Sequence, residues 1–266
     1  MNTVLMVVLG FVLLAGSCKK SPTQTKQPQA TAAPKVETTE TKPAVTPDVN
    51  KAETPLPLAG SEPIPIVLPK PMFIGTPERF DGVTNLEKPL GKPREPFYAP
   101  KGTTNVALHK PVTSSDEQPI IGEIAMLTDG DKEASDGSFV ELGPGGQHIM
   151  IDLGSPHNIF AILIWHYHKQ ARVYKDVVVQ VADDADFLTN VRTLFNNDND
   201  NSSGYGVGHN LSYVETAEGK LIDAKGVVGR YVRCFSNGNS SNDLNNYIEV
   251  EVYGMPVVSL LNPPAK

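Results

Sequence analysis

The stretch "YIEVEVYG", residues 247–254, alternates apolar and polar side chains along almost its whole length. Ile248, Val250 and Val252 share one face, and Glu249 and Glu251 the other, which is the two-residue period of a strand with one side buried. "DVVVQV", residues 176–181, repeats the pattern through Val177, Val179 and Val181. "FAILIWH", residues 160–166, is apolar on both faces, as a central strand is. Working outward, short runs broken by turn residues predict strands over 105–112, 139–142, 148–153, 159–165, 176–181, 191–195, 230–235 and 247–253. No sustained helical period and no internal repeat competes with them. An all-β sandwich or barrel of about eight strands follows.

Upstream the composition changes. Of 23 prolines, 16 lie at or before Pro100. Residues 19–60 are rich in Thr, Pro, Lys, Glu, Gln and Ala and read as a disordered tether. Residues 61–100 keep the prolines in "PIPIVLPKPMFIGTPERF" and "EPFYAP", but add Ile66, Val67, Met72, Phe73, Phe97 and Tyr98. Proline forbids helix and regular sheet there, yet a solvated linker has little use for such large apolar groups. An extended strap lying on the domain is expected. The folded domain then spans 101–256, with 257–266 as a tail. The 30 Asp and Glu outnumber the 23 Lys and Arg, for a net charge of −7, which argues against a nucleic-acid partner.

Residues 1–18 read as a signal segment. The apolar run from Val4 to Ala15 is short for a membrane span. Leu14-Ala15-Gly16-Ser17-Cys18 resembles the lipobox of bacterial lipoproteins, which implies lipidation at Cys18 and attachment to the cell envelope. No Lys or Arg precedes the run, while Lys19 and Lys20 follow it, so a misplaced start or a short N-out anchor stays open. The second cysteine, Cys234 in "RYVRCFS", reads as a small buried strand residue.

The order of five motifs is informative. "NVALHKPVTSS" (105–115), "LTDGD" (127–131), "IMIDLG" (149–154), "GRYVRCFSNG" (229–238) and "IEVEVYG" (248–254) together resemble the discoidin, or coagulation factor 5/8 type C, family. The resemblance covers about 150 residues and implies a galactose-binding-like jelly roll with ligand loops at one end. The sequence is therefore expected to give a jelly-roll β-sandwich of about eight strands after a long Pro-rich, largely irregular N-terminal region. Family members bind sugars, phospholipid head groups or proteins, so the fold does not name the ligand.

The resemblance also implies a structural calcium. Asp129 and Glu249 would give side-chain oxygens and Asp131 a carbonyl, with Ser135 a looser match in a longer loop. Without the family, Asp129 is a turn cap and Gly130 permits positive φ.

Other candidates come from the residues. In "WHYHKQARVY", His166 and His168 are two apart and on a strand would share one face, a spacing open to a transition metal. With Arg172 and Tyr174 they are expected to form a polar and aromatic ligand rim. "LFNNDNDNSSGYGVGHN", residues 194–210, packs acids and amides as densely as a calcium loop does. No register of the EF-hand works: counted from Asp198, Ser203 stands where glycine belongs and His209 where the bidentate glutamate belongs. The stretch reads as a binding-rim loop, with Tyr205 as its stacking platform. Arg233 and Asn237, at and beside the amide-rich stretch 236–246, complete the ligand-binding candidates.

The chain contains no G-x-S-x-G, P-loop, H-E-x-x-H or C-x-x-C-H. The expectation is a non-catalytic, envelope-anchored module for carbohydrate with a structural calcium. The alternative is an envelope scaffold that docks a protein partner through the same loops.

Overall fold

The computed structural model describes residues 60–257. Cys18 and the signal segment, nearly all of the tether and most of the tail lie outside them. Among the described residues no helix is long and apolar enough to cross a membrane.

Ten strands and one 3-10 turn (Ile124–Thr128) make up the described chain. They are β1 (Ser61–Pro63), β2 (Tyr98–Pro100), β3 (Thr104–Asn105), β4 (Val112–Ser114), β5 (Val140–Pro144), β6 (Gly146–His166), β7 (Val178–Ala182), β8 (Arg192–Asn196), β9 (Lys220–Asn237) and β10 (Leu244–Pro256). Strands β1 and β2 pair with each other, and the other eight form one antiparallel hydrogen-bonded sheet.

That sheet folds over on itself because two of its strands are long and bent. The pairing of β6 with β9 breaks register between Asp152 and His157, where Gly154 takes φ +85°. Before the break, β4, β6, β9, β7 and β8 make a front half; after it, β9, β6 and β10 make a back half edged by β3 and β5. Alternate residues of both halves meet between them. Ile149, Ile151, Val179, Val181, Val232 and Cys234 pack against Ile162, Ile164, Val250 and Val252 in one buried cluster. The sandwich is all-β, as the alternation predicts.

Strand boundaries differ from expectation: β9 begins at Lys220, ten residues ahead of the predicted 230–235, β10 runs past both ends of 247–253, and two further predictions change more deeply. The predicted strands 148–153 and 159–165 are one 21-residue strand, because the glycine after "IDL" turns the chain through the corner without ending it. The predicted strand 105–112 is only its two ends. Between them the Asn105 side chain accepts from the Ala107 amide at 3.1 Å, His109 has φ 57°, and Pro111 has no amide to donate.

The outer face of the back half is also apolar. Ala161, Leu163, Trp165, Ile248 and Tyr253 lie there, buried with Ile64, Ala99 and Ala134. Within 61–100, Ile66, Phe73 and Phe97 are half-buried, while Val67, Met72 and Tyr98 face solvent. Arg94 ties this segment down by donating to the carbonyls of Gly219 and Glu218, each at 2.9 Å.

Candidate functional site

Register places most connecting loops at one pole. Gly146 pairs with Asn237, Val178 with Phe235 and Asn196, Ile164 with Lys220, and Tyr247 with His166. The connections 167–177, 197–219 and 238–243 therefore leave the sandwich together. Backbone bonds stitch them: Lys175 donates to Gly238, Asn237 to Lys175, Asn197 to Val177 and Glu215 to Arg172, at 2.8–3.1 Å. The two amide-rich loops meet at Asp176, whose carboxylate accepts from Asn237 at 2.9 Å and Ser202 at 3.0 Å.

The expected ligand residues divide into two groups. His166, His168 and Tyr174 are buried, with at most 1% exposure, and so form no solvent rim. His166 stacks on Tyr174 with ring centroids 4.1 Å apart and meets the buried Glu215 at 3.0 Å. Strand β6 ends at His166, so His168 does not share its face; its Nε2 meets the Lys132 carbonyl at 2.9 Å instead. The pair brings no common metal site. Burial pushes the Tyr174 phenol well above its usual range, and its hydroxyl donates to Asn246 at 3.1 Å. Arg172, half-buried over the Tyr167 ring at 4.8 Å, donates to the same Asn246 oxygen. This group knots the loops from inside.

Tyr205, Arg233 and Asn237 form the second group, on the outward face of the front half. Tyr205 meets Phe235 edge-on at 5.1 Å, and the Arg233 guanidinium lies 4.8 Å from its ring centroid. Beside Tyr205 a pocket of about 320 Å3 opens between β8 and residues 205–210. Thr193, Asn196, His209 and Asn210 line it with Tyr205. Gly208 is required here, because a Cβ would strike the Asn196 carbonyl.

The acids of the same loop are largely occupied. Asp176, Asp198 and Asp200 come together within 4.8 Å. Asp198, fully buried, accepts from the Asp200, Ser202 and Ser203 amides and from the Ser203 hydroxyl. Burial opposes its ionisation, but these bonds outweigh burial and hold its carboxyl below the usual range.

Glu249 is the opposite case. Its side chain is fully buried on β10, and neither carboxylate oxygen has a hydrogen bond. The Gly130 amide lies close enough to oppose part of the burial, without ordinary hydrogen-bond geometry. Burial foremost, then the charges of Glu251 and Asp129, push the carboxyl up to about 9. Lys132 is already committed to Glu251 at 2.7 Å. A buried carboxyl without a hydrogen bond, beside the 129–131 turn, is costly to ionise unless a proton or a cation neutralises it. Asp129 caps the Asp131 amide at 2.8 Å; the Asp131 carboxylate caps Glu133, and exposed Ser135 bonds Ser138.

Several residues of these sites gave no signal in the sequence. Glu215 arrives from 49 residues beyond His166. Phe187, Gln180 and Met150 surround Arg233 but read as ordinary strand and loop residues.

No family model matches the chain, and no curated protein matches it. Solved structures that it resembles include a family 89 glycoside hydrolase from Clostridium perfringens, at 20% identity and TM-score 0.41, covering 57% of this chain and only 15% of the hydrolase. A chitosan-binding module from a chitosanase/glucanase of Paenibacillus sp. IK-5 is 21% identical, with TM-score 0.37 and coverage of 56% and 98%. A fucose-binding module of Streptococcus pneumoniae is 18% identical, with TM-score 0.40 and coverage of 56% and 97%.

Proposed function

We propose that the protein is a non-catalytic carbohydrate-binding module of the cell envelope, stiffened by calcium and held by a lipid on Cys18. The observation that carries the sugar reading is the open pocket beside Tyr205. It sets an aromatic ring against the Asn210 amide, the exposed His209 and the Thr193 hydroxyl. A pyranose needs that combination, an apolar surface for its C–H face and donors and acceptors for its hydroxyls. Tyr205 would stack, and its backing by Phe235 and Arg233 limits the rotamer freedom lost on binding.

The calcium reading rests on Glu249. The ion would take side-chain oxygens of Glu249 and Asp129 and the Asp131 carbonyl, tying the 129–131 turn to β10. Its chemistry is neutralisation of buried charge, with no part in bond making. The anchor rests on the lipobox resemblance alone.

A glycan array probed at millimolar calcium, followed by calorimetric titration of any hit, tests the sugar reading. Wild type should bind, and Tyr205→Ala should weaken binding about tenfold or more, the scale of a lost stacking contact. Silence across the array overturns it. A second reading, a protein-docking scaffold, is favoured by the segment around an 830 Å3 cavity between residues 71–94 and 213–221. Ile74 and Leu90 there are 104% and 68% exposed. Array silence with a co-purifying envelope protein would support that reading.

A further inference from the structure

We infer that the outward face around Arg233 recognises an anionic glycan, its carboxylate or sulfate taken by the Arg233 guanidinium. This deepens the sugar reading and rests on it.

Arg233 stands at the middle of the front half. Its register partners are Met150 on β6 and Gln180 on β7, and the row continues to Thr113 and Thr193. The guanidinium carbon lies 4.0 Å from the Phe187 ring centroid and 4.8 Å from that of Tyr205. The two rings reach it from loops at opposite poles. Nη2 donates to the Gln180 Oε1 at 2.6 Å, and the Gln180 Nε2 in turn donates to Thr193 at 3.0 Å, which fixes the amide's orientation.

What the group lacks is a counter-charge. Among the described residues no carboxylate forms an ion pair with Arg233, in a chain whose net charge is −7. Its Nε is buried without a hydrogen bond, although the side chain as a whole stays half-exposed. The acid two residues from Met150, Asp152, is held bidentately by Arg230 at 2.7 and 2.8 Å. A guanidinium stripped of part of its water and given neutral partners but no counter-charge gains when an anion arrives. The flanking rings fix its plane, so a fork of N–H groups is presented in one orientation. His148, on the same face two residues from Met150, is held below the usual histidine range by burial and then by Arg233. It therefore adds a neutral imidazole at pH 7, not a competing cation.

Titration calorimetry with three probes tests this: an oligogalacturonide, a sulfated oligosaccharide and a neutral oligosaccharide of equal length. Wild type should bind at least one acidic probe about tenfold to a hundredfold more tightly than the neutral one, the size of a charge-assisted hydrogen bond. The excess should fall with added salt. Which acidic probe wins assigns carboxylate or sulfate. Arg233→Gln should lower acidic binding to the neutral level and leave neutral binding intact. Met150→Glu, which offers Arg233 an internal carboxylate, should do the same without loss of melting temperature. Equal affinity for acidic and neutral probes, or unchanged acidic binding in both variants, overturns the inference and leaves the sugar reading standing. Binding of no saccharide at all overturns both.

Discussion

At Glu249, the proposed calcium would compete with a proton for one buried carboxyl. Without an ion the group titrates near 9 in the fold, against 4.5 ordinarily. Between those values the folded chain holds a proton that the unfolded chain has released. Stability from this group is therefore fully present at low pH and is lost as pH rises through about 9. The melting temperature of the chelator-treated protein should fall from about pH 5 to pH 9. A calcium ion bound at Glu249 would displace that proton, so the gain from calcium should grow over the same range. Calorimetry with and without the ion measures both slopes, and parallel slopes would remove calcium from Glu249. Glu249→Gln should flatten the ion-free slope and lose the gain, while Asp198→Asn with Asp200→Asn should keep it. Cys234 offers a second check. Burial pushes its thiol up to about 12, and none of it is exposed. A thiol reagent should label the native domain only as fast as it unfolds; rapid labelling would contradict the packing. Little of this is legible in a two-residue period. Alternation puts Glu249 on an outward face, where glutamate is ordinary, and only the family resemblance pairs it with residues 129–131. His166 shows the converse, a polar residue whose buried partner lies too far along the chain to be read.

Elements are more legible than their ends. Val177, Val179 and Val181, and Val250 and Val252, announce their strands because they alternate with polar Gln180, Glu249 and Glu251, although both faces of each strand are buried. The corner glycines hide the continuity of β6 and β9, since a glycine after an alternating run reads as a stop. At Gly229 the need is steric: a Cβ would run into Val181 and the Ala182 carbonyl as β9 passes from one half to the other. Gly229→Ala should cost about 2 kcal/mol in chemical denaturation, a typical overpacking penalty. Unchanged stability would show that β9 can shift outward there. The Pro-rich segment follows another logic, because its prolines mask any period. Ile64 is buried against Trp165 and Tyr253, whereas Ile74 touches solvent on all sides. Ile64→Ala should cost about 2 kcal/mol. Ile74→Ala should leave the melting temperature unmoved, and equal effects of the two would contradict the packing.

Seen whole, the sandwich has two unlike poles. In the back half, β6 runs from His157, paired with Pro256, to His166, paired with Tyr247, a span of about 30 Å. Lys101 donates to the Gly60 carbonyl, and Val257 donates to Pro156. The described chain thus enters and leaves at the pole opposite the loops. It resembles a plug on a lead, with its cable and its contacts at opposite ends. The Tyr205 pocket therefore opens at the pole away from Gly60. Immobilising the domain on a sensor surface through a tag ahead of Gly60 should leave saccharide binding at its solution value. Attachment through Val207→Cys at the pocket wall should abolish it, with buried Cys234 offering no competing thiol. Loss of binding in both orientations would place the ligand site elsewhere. Attachment at the Gly60 end thus leaves the surface around the Tyr205 pocket clear, so a fusion made there would not contend with a ligand in it.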